Sequence, residues 1–187
     1  MRRNIDAWWP LVEKKEVEAI IVTASGCGVT VKEYGHLLRY DSVYAGKAAT
    51  ISTLAKDISE ILHAELGNLQ HLFSQKPPVL KTKLSFHSPC TLQHGMQIRG
   101  VVEEILQAAG FELSYVANAH LCCGSAGTYS ILQPELSQQL LKNKLAALES
   151  SNPDHIATAN IGCLMHLKSG AALPVKHWIE LLDERLS

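Results

Sequence analysis

Short apolar runs alternate along the chain with longer segments whose apolar residues recur at helical spacing. The runs predict strands over residues 19–24, 84–86, 111–115 and 156–159, and a short one at Val175. The β-branched run 19–24 is typical of a strand buried on both faces. Helical spacing predicts helices over residues 47–66 and 98–109, from Pro134 onward, and from Trp178 to Leu186. Because strands alternate with helices, we predict an α/β fold with a mostly parallel sheet flanked by helices.

Two parts of the chain resemble each other, which indicates two copies of one unit. The segment Thr23-Ala-Ser-Gly-Cys27 is similar to Thr158-Ala-Asn-Ile-Gly-Cys163, and a lysine follows five residues after each cysteine. Residues 67–81 contain glycine and two prolines and predict a connection. We therefore predict that residues 1–75 are the C-terminal part of a first, truncated repeat and that residues 76–187 are a complete second repeat.

The composition is ordinary for a soluble globular protein, and the formal net charge is −1 at pH 7. No block of lysine and arginine interleaves with aromatic residues, so nothing favours nucleic-acid binding. No apolar stretch is long enough to predict a membrane span. Peripheral association with a membrane stays open as an alternative. No signal peptide is visible, so we expect a cytoplasmic protein with reduced thiols.

The most informative feature is the adjacent pair Cys122-Cys123, which Gly124 follows. Cys90 lies roughly thirty residues before the pair and Cys163 roughly forty residues after it. One or two of the chain's cysteines can be small buried hydrophobes. Four thiolates together nevertheless suit a soft metal, either zinc or an iron–sulfur cluster. Structural zinc usually takes C-x-x-C knuckles, which the chain lacks, so we predict an iron–sulfur cluster, with zinc as the alternative.

The predicted strands explain how distant cysteines would meet. Cys90 and Cys163 each lie just beyond the carboxyl end of a predicted strand, and the adjacent pair lies in the loop after a third. In open α/β sheets, ligands gather at this edge. Gly124 and Gly127 then serve either a close backbone approach or an ordinary tight turn. We expect the four thiols to converge at one edge of the sheet.

These residues resemble the cysteine-rich CCG domain family, whose pattern is a cysteine, then Cys-Cys-Gly, then C-x-x-C at wide intervals. The resemblance rests on Ala24-Ser-Gly-Cys-Gly28, Lys32-Glu-Tyr-Gly-His-Leu-Leu38, His87-Ser-Pro-Cys90, Cys122-Cys-Gly-Ser-Ala-Gly-Thr-Tyr129 and Asn160-Ile-Gly-Cys163. The family includes the cysteine-rich subunit of heterodisulfide reductase and the iron–sulfur subunits of flavin-linked 2-hydroxy-acid (glycolate) oxidases. The second group is the more similar, and it implies an electron-transfer subunit that serves flavoprotein partner subunits.

Two departures from the family pattern change what the resemblance implies. The fifth cysteine of the pattern falls at His166, so the predicted ligands are Cys90, Cys122, Cys123 and Cys163, with His166 as an additional candidate. A [4Fe–4S] cluster on four thiolates then fits better than a non-cubane cluster on five. The ferredoxin-type C-x-x-C-x-x-C run is also absent, so the chain resembles only the C-terminal portion of such a subunit.

The remaining candidates carry weaker signals. His87 and His94 flank Cys90 and are expected to hydrogen-bond near the site or to lie on the surface, with direct binding of the metal as the less favoured alternative. Cys27 lacks repeat partners and is expected to be a free thiol. No nucleophile–base arrangement is supported, so we predict a non-catalytic component of an oxidoreductase. Two alternatives stay open, namely a zinc-stabilised interaction module and a catalytic cluster domain like that of heterodisulfide reductase.

Overall fold

The computed structural model describes residues 1–77 and 82–187 and divides the chain into two compact units, Met1–Ile61 and Leu62–Ser187. Every strand pair in the described residues is parallel, and helices flank the strands. The predicted α/β fold class is therefore confirmed. The interpretation as two repeats that meet near residue 75 stays a prediction. No helix within the described ranges is long and apolar enough to cross a membrane.

The first unit contains a two-stranded sheet and its helices. Its elements are α1 (Arg2–Glu13), β1 (Ile20–Val22), α2 (Ser25–Lys32), α3 (Tyr34–Leu37), α4 (Ala45–Leu54), β2 (Ala55–Asp57) and the start of α5 (Ile58–Ala64). β1 pairs with β2. Ile20 and Val22 of β1 pack against the apolar core of this unit, but Ile21 is 51% exposed. The prediction that this run is buried on both faces is therefore wrong.

The predicted single helix over residues 47–66 is also wrong, because a strand interrupts it. α4 ends at Leu54, and β2 then aligns with β1 so that Ala55 is the partner of Ile20. The buried carboxylate of Asp57 ends the strand, since its Oδ1 accepts hydrogen bonds from Ser59 N at 2.9 Å and Ser59 Oγ at 2.6 Å. The first of these bonds satisfies a main-chain donor in the first turn of α5. A three-residue strand is too short to break the helical spacing of apolar residues.

The second unit contains a four-stranded sheet with the order β4-β3-β5-β6. Its elements after α5 are α6 (Leu66–Ser74), β3 (Lys83–His87), a π-helical turn (Thr91–Gly95), α7 (Val101–Ala108), β4 (Glu112–Leu113), α8 (Tyr129–Leu132), α9 (Pro134–Glu149), β5 (His155–Thr158), α10 (Ile161–Lys168), β6 (Val175–His177) and α11 (Trp178–Leu186). The strands and helices predicted in this half are confirmed. The connection predicted over residues 67–81 is corrected by α6, and its residues 78–81 lie outside the described ranges.

One buried cluster joins the helices of the second unit to its sheet and includes two of the cysteines. Its members come from α9, β5, α10, β6 and the loop before α8: Leu141, Leu145, Leu148, Ile156, Leu164, Leu167, Val175, Cys123 and Cys163. We call this cluster the cysteine core. Burying its aliphatic side chains supplies roughly 1.5–3 kcal/mol each, so the elements that carry the thiols are held by packing.

Candidate metal centre

Cys90 stands where the chain leaves β3. The strand ends at His87, and Cys90 precedes the π-helical turn. The amides of Leu92 and Gln93 both donate to the carbonyl of Pro89 at 3.0 Å. The side-chain amide of Gln93 donates to the carbonyl of Ser88 at 2.9 Å. These bonds fix the backbone around Cys90 and leave its half-buried thiol at the carboxyl end of the strand.

Cys163 is fixed by the cap of the helix that follows β5. The side-chain oxygen of Asn160 accepts hydrogen bonds from Gly162 N at 2.8 Å and from Cys163 N at 3.4 Å. An asparagine in this position satisfies main-chain donors that a helix leaves unpaired at its start. The Asn160-Ile-Gly-Cys163 motif therefore has a local structural reason: its first residue begins the helix whose first turn carries the thiol.

The adjacent pair lies in a loop that α9 supports. Gly124 has φ +100°, and a Cβ built on it would overlap the carbonyl oxygen of Ser137. The buried Ser137 hydroxyl donates to the carbonyl of Gly124 at 2.9 Å, and the amide of Gly124 lies 3.3 Å from the Cys122 sulfur that accepts its hydrogen bond. Gly127 also has a positive φ, +60°, but nothing surrounds its missing side chain. The close approach predicted for the two glycines thus applies only to Gly124.

The structure brings the four predicted thiols together. The side chains of Cys90 and Cys122, of Cys122 and Cys123, and of Cys123 and Cys163 lie within hydrogen-bonding distance of each other. The bond from Cys123 lowers the pKa of the Cys163 thiol to about 5, and the bonds from Cys123 and Cys90 hold the pKa of Cys122 well below its usual range. The hydrogen bonds with Cys122 have the opposite effect on its two neighbours, because they raise the pKa values of Cys90 and Cys123.

The pKa values of neighbouring thiols are thus shifted in opposite directions, and this has a physical consequence. Sulfurs this close cannot all be thiolates without a counter-charge, because like charges in a buried site oppose one another's ionisation. A bound cation reverses that preference and deprotonates the thiols outright. The donor set therefore fits a metal centre.

Cys27, by contrast, is exposed and lies on α2 of the first unit. The residue that begins this helix is Ala24, whose side chain cannot accept a hydrogen bond from the first turn as Asn160 does.

The histidines separate into three environments. His166 Nε2 lies 3.3 Å from the Ser137 hydroxyl, and His94 is exposed with Nε2 3.4 Å from the carbonyl of His120. His87 is 2% exposed, and one of its ring nitrogens forms a compact group with the sulfurs of Cys123 and Cys163, all within 4.8 Å of one another. The sequence placed His87 near the site but did not single it out. Its position as the last residue of β3 was the available signal.

A buried lysine beside the thiols was missed altogether. Lys144 of α9 is 3% exposed, and its ammonium donates to the carbonyls of Asn118 at 3.1 Å and Ala119 at 3.3 Å. Burial lowers the pKa of Lys144, whereas the charges of Cys123, Cys122 and Cys163 act to raise it. Lys144 and Cys122 also line one cavity of about 220 Å³. Through these two hydrogen bonds Lys144 holds the loop before the adjacent cysteines in place, and it puts a positive charge near their sulfurs.

Three curated proteins show what the chain is similar to in sequence. Over 185 residues the chain is 50% identical to the "Glycolate oxidase iron-sulfur subunit" of Escherichia coli (strain K12), covering 99% of the chain and 44% of that protein. It is 33% identical over 169 residues to the "Probable glycolate oxidase iron-sulfur subunit" of Bacillus subtilis (strain 168), covering 90% and 36%. It is 27% identical over 194 residues to "Lactate utilization protein A" of Bacillus velezensis, covering 99% and 76%.

The chain thus spans less than half the length of the two glycolate oxidase subunits that it resembles. The sequence model of the CCG cysteine-rich domain matches residues 84–168, which begin in β3 and end with α10. This segment contains all four of the converging cysteines and the buried His87. Over residues 84–168 the chain is therefore similar to the cysteine-rich CCG domain family.

Proposed function

We propose that the chain holds an iron–sulfur cluster on Cys90, Cys122, Cys123 and Cys163 and serves as an electron-transfer component of a 2-hydroxy-acid oxidase. The observation that carries this proposal is the convergence of four thiols, two of which, Cys123 and Cys163, belong to the cysteine core. Iron–sulfur clusters are held by cysteine thiolates, and a [4Fe–4S] cluster takes four. The cluster would supply one-electron chemistry. The chain's own residues would bind it and set its surroundings.

The names of the relatives support the same role. Two of them are iron–sulfur subunits of glycolate oxidase, and a third is named for lactate utilization. Oxidation of a 2-hydroxy acid removes a hydride, which a flavin or nicotinamide must accept. The chain has no G-x-G-x-x-G segment after any of its predicted strands. We therefore place the oxidation on a separate flavoprotein subunit, from which this chain takes electrons one at a time.

The proposal is tested by purifying the full chain without oxygen and measuring iron and acid-labile sulfide. We expect both elements in comparable amounts, because a cluster contains inorganic sulfide as well as iron. Iron without sulfide, or no iron at all in an anaerobic preparation, would contradict the proposal. The same preparation, free of any flavoprotein, is expected not to oxidise glycolate with an artificial electron acceptor. Turnover under those conditions would place the chemistry on this chain.

Zinc is the second candidate, and one observation favours it. The atoms of His87, Cys123 and Cys163 that lie within 4.8 Å of one another are spaced closely enough for a single tetrahedral ion. Zinc sites with cysteine and histidine ligands bind at about 2.0–2.3 Å from each ligand atom. In that case the unit would be a zinc-stabilised interaction module. The same elemental measurement separates the two proposals, since it would find zinc in place of iron and sulfide.

Replacing the buried lysine is expected to make the cluster harder to reduce. In Lys144→Met the positive charge near the thiolates is lost, which disfavours addition of an electron. We expect the midpoint potential to fall by about 60 mV, a tenfold change in the one-electron equilibrium. Redox titration of the anaerobic protein measures this shift. Lys142→Met is the matched control, because Lys142 lies exposed on the same helix, and equal potentials in both variants would contradict the role of Lys144.

A further inference from the structure

His87 is buried, and its ring contacts the thiol of Cys163. The backbone of this residue is held in the sheet, where its carbonyl accepts a hydrogen bond from Thr158 Oγ1 at 3.1 Å. The side chain is 2% exposed, and its ring is hydrogen-bonded to the Cys163 thiol, whose pKa this contact helps to lower. Within residues 1–77 and 82–187 the second ring nitrogen has no hydrogen-bond partner. A buried polar group without a partner costs about 1–3 kcal/mol, so such groups in folded proteins call for an explanation, and a bound ion is one of the known ones.

The surroundings of the ring indicate which explanation applies. One ring nitrogen and the sulfurs of Cys123 and Cys163 lie within 4.8 Å of one another, and all three residues are buried. Imidazole nitrogen and thiolate sulfur are the usual ligand atoms for iron and zinc in proteins. The other histidines near the thiols differ, since Nε2 of His166 lies near the Ser137 hydroxyl and Nε2 of His94 near a backbone carbonyl.

We propose that His87 is a direct ligand of the metal centre and supplies one imidazole nitrogen beside the four cysteines. This inference rests on the proposed function. It assigns the imidazole of the site to the end of β3 and not to His166 on α10.

The test is pulsed electron paramagnetic resonance on the anaerobic, reduced full-length chain, produced with ¹⁵N-labelled histidine. We expect a nitrogen hyperfine coupling of the size that direct coordination gives. The coupling should persist in His166→Ala and disappear in His87→Phe. We also expect His87→Phe to bind iron at least about tenfold more weakly, as is found when a supporting residue of a metal site is lost. Phenylalanine keeps an apolar ring in the pocket, so the metal-free variant should unfold at the same urea concentration as the unmodified chain, or higher.

Several results would overturn the assignment. In the unmodified iron-loaded protein, these results are the absence of a nitrogen coupling, or a coupling no stronger than a hydrogen bond would give. In the variants, they are a coupling that survives in His87→Phe or one that is lost in His166→Ala. Failure of the proposed function looks different, because the chain would then contain zinc. Cobalt(II) loaded in place of zinc would still test His87, since its visible absorption bands should shift in His87→Phe and not in His166→Ala. A chain that binds neither metal refutes both proposals.

Discussion

Cys163→Ser is expected to remove at least about nine-tenths of the iron from the anaerobically purified chain, a tenfold or larger loss of affinity in the range seen for disrupted metal sites. The reason is that Cys163 lies in the cysteine core and shares a hydrogen bond with Cys123, so its thiolate is one of the four that the proposed cluster needs. Serine is nearly the same size but has a hard hydroxyl donor, which soft metals bind poorly. Iron and sulfide per chain are the quantities to measure.

Cys27→Ser is the matched control for this substitution. Each cysteine is the third residue of a helix that follows a parallel strand, α2 for Cys27 and α10 for Cys163. Cys27 is exposed, however, and belongs to the first unit. We expect its substitution to leave iron and sulfide unchanged. Equal losses in the two variants would mean that the four ligands have been assigned wrongly.

Gly124→Ala is expected to destabilise the second unit and to empty its metal centre. The new methyl group would overlap the backbone oxygen of Ser137, and alanine disfavours a φ of +100°. The dihedral costs about 1–3 kcal/mol and the overlap a similar amount, so we expect a loss of about 3 kcal/mol or more. Urea unfolding of the metal-free chain under reducing conditions measures the stability, and iron analysis reports the centre.

Gly127→Ala separates the steric cause from the dihedral one. Gly127 has φ +60° and open space where a side chain would be, so alanine there meets only the backbone penalty of about 1–2 kcal/mol. We expect this variant to keep most of its iron. If the two substitutions weaken the protein equally, the contact between Gly124 and Ser137 is not what holds the loop of the adjacent cysteines in place.

The edge of the sheet where the thiols meet was predictable, because it depends on strand order within a parallel sheet. β3 and β5 are neighbours, with Phe86 opposite Ala157 and His87 opposite Thr158, so the segments after them start side by side. The periodic pattern also located α7, α9 and α11. That these cysteines bind a metal remains a prediction that the experiments above address.

Other features depended on contacts that no local pattern encodes. β2 exists because its backbone pairs with β1 some thirty residues away, and its three residues keep the helical spacing of their neighbours. Lys144 lies on the buried face of α9, between Leu141 and Leu148, but the loop carbonyls that its ammonium meets come from a distant part of the chain. His87 is the last residue of an apolar strand, where the sequence pattern fits a buried core histidine as well as a histidine that binds a metal. Each required the fold before its role was visible.

The cysteine core gives the centre a second consequence, for the maintenance of the protein. Cys123 and Cys163 pack among the leucines of α9 and α10, so the proposed ligands also fill the interior of the unit. A metal that binds only the folded chain adds its binding energy to the stability of that chain. Oxygen damage to the centre would then weaken the packing of α9 and α10 as well as stop electron flow. In a subunit with a damaged centre, α9 and α10 would unfold more often, and cellular proteases would cleave the exposed segments.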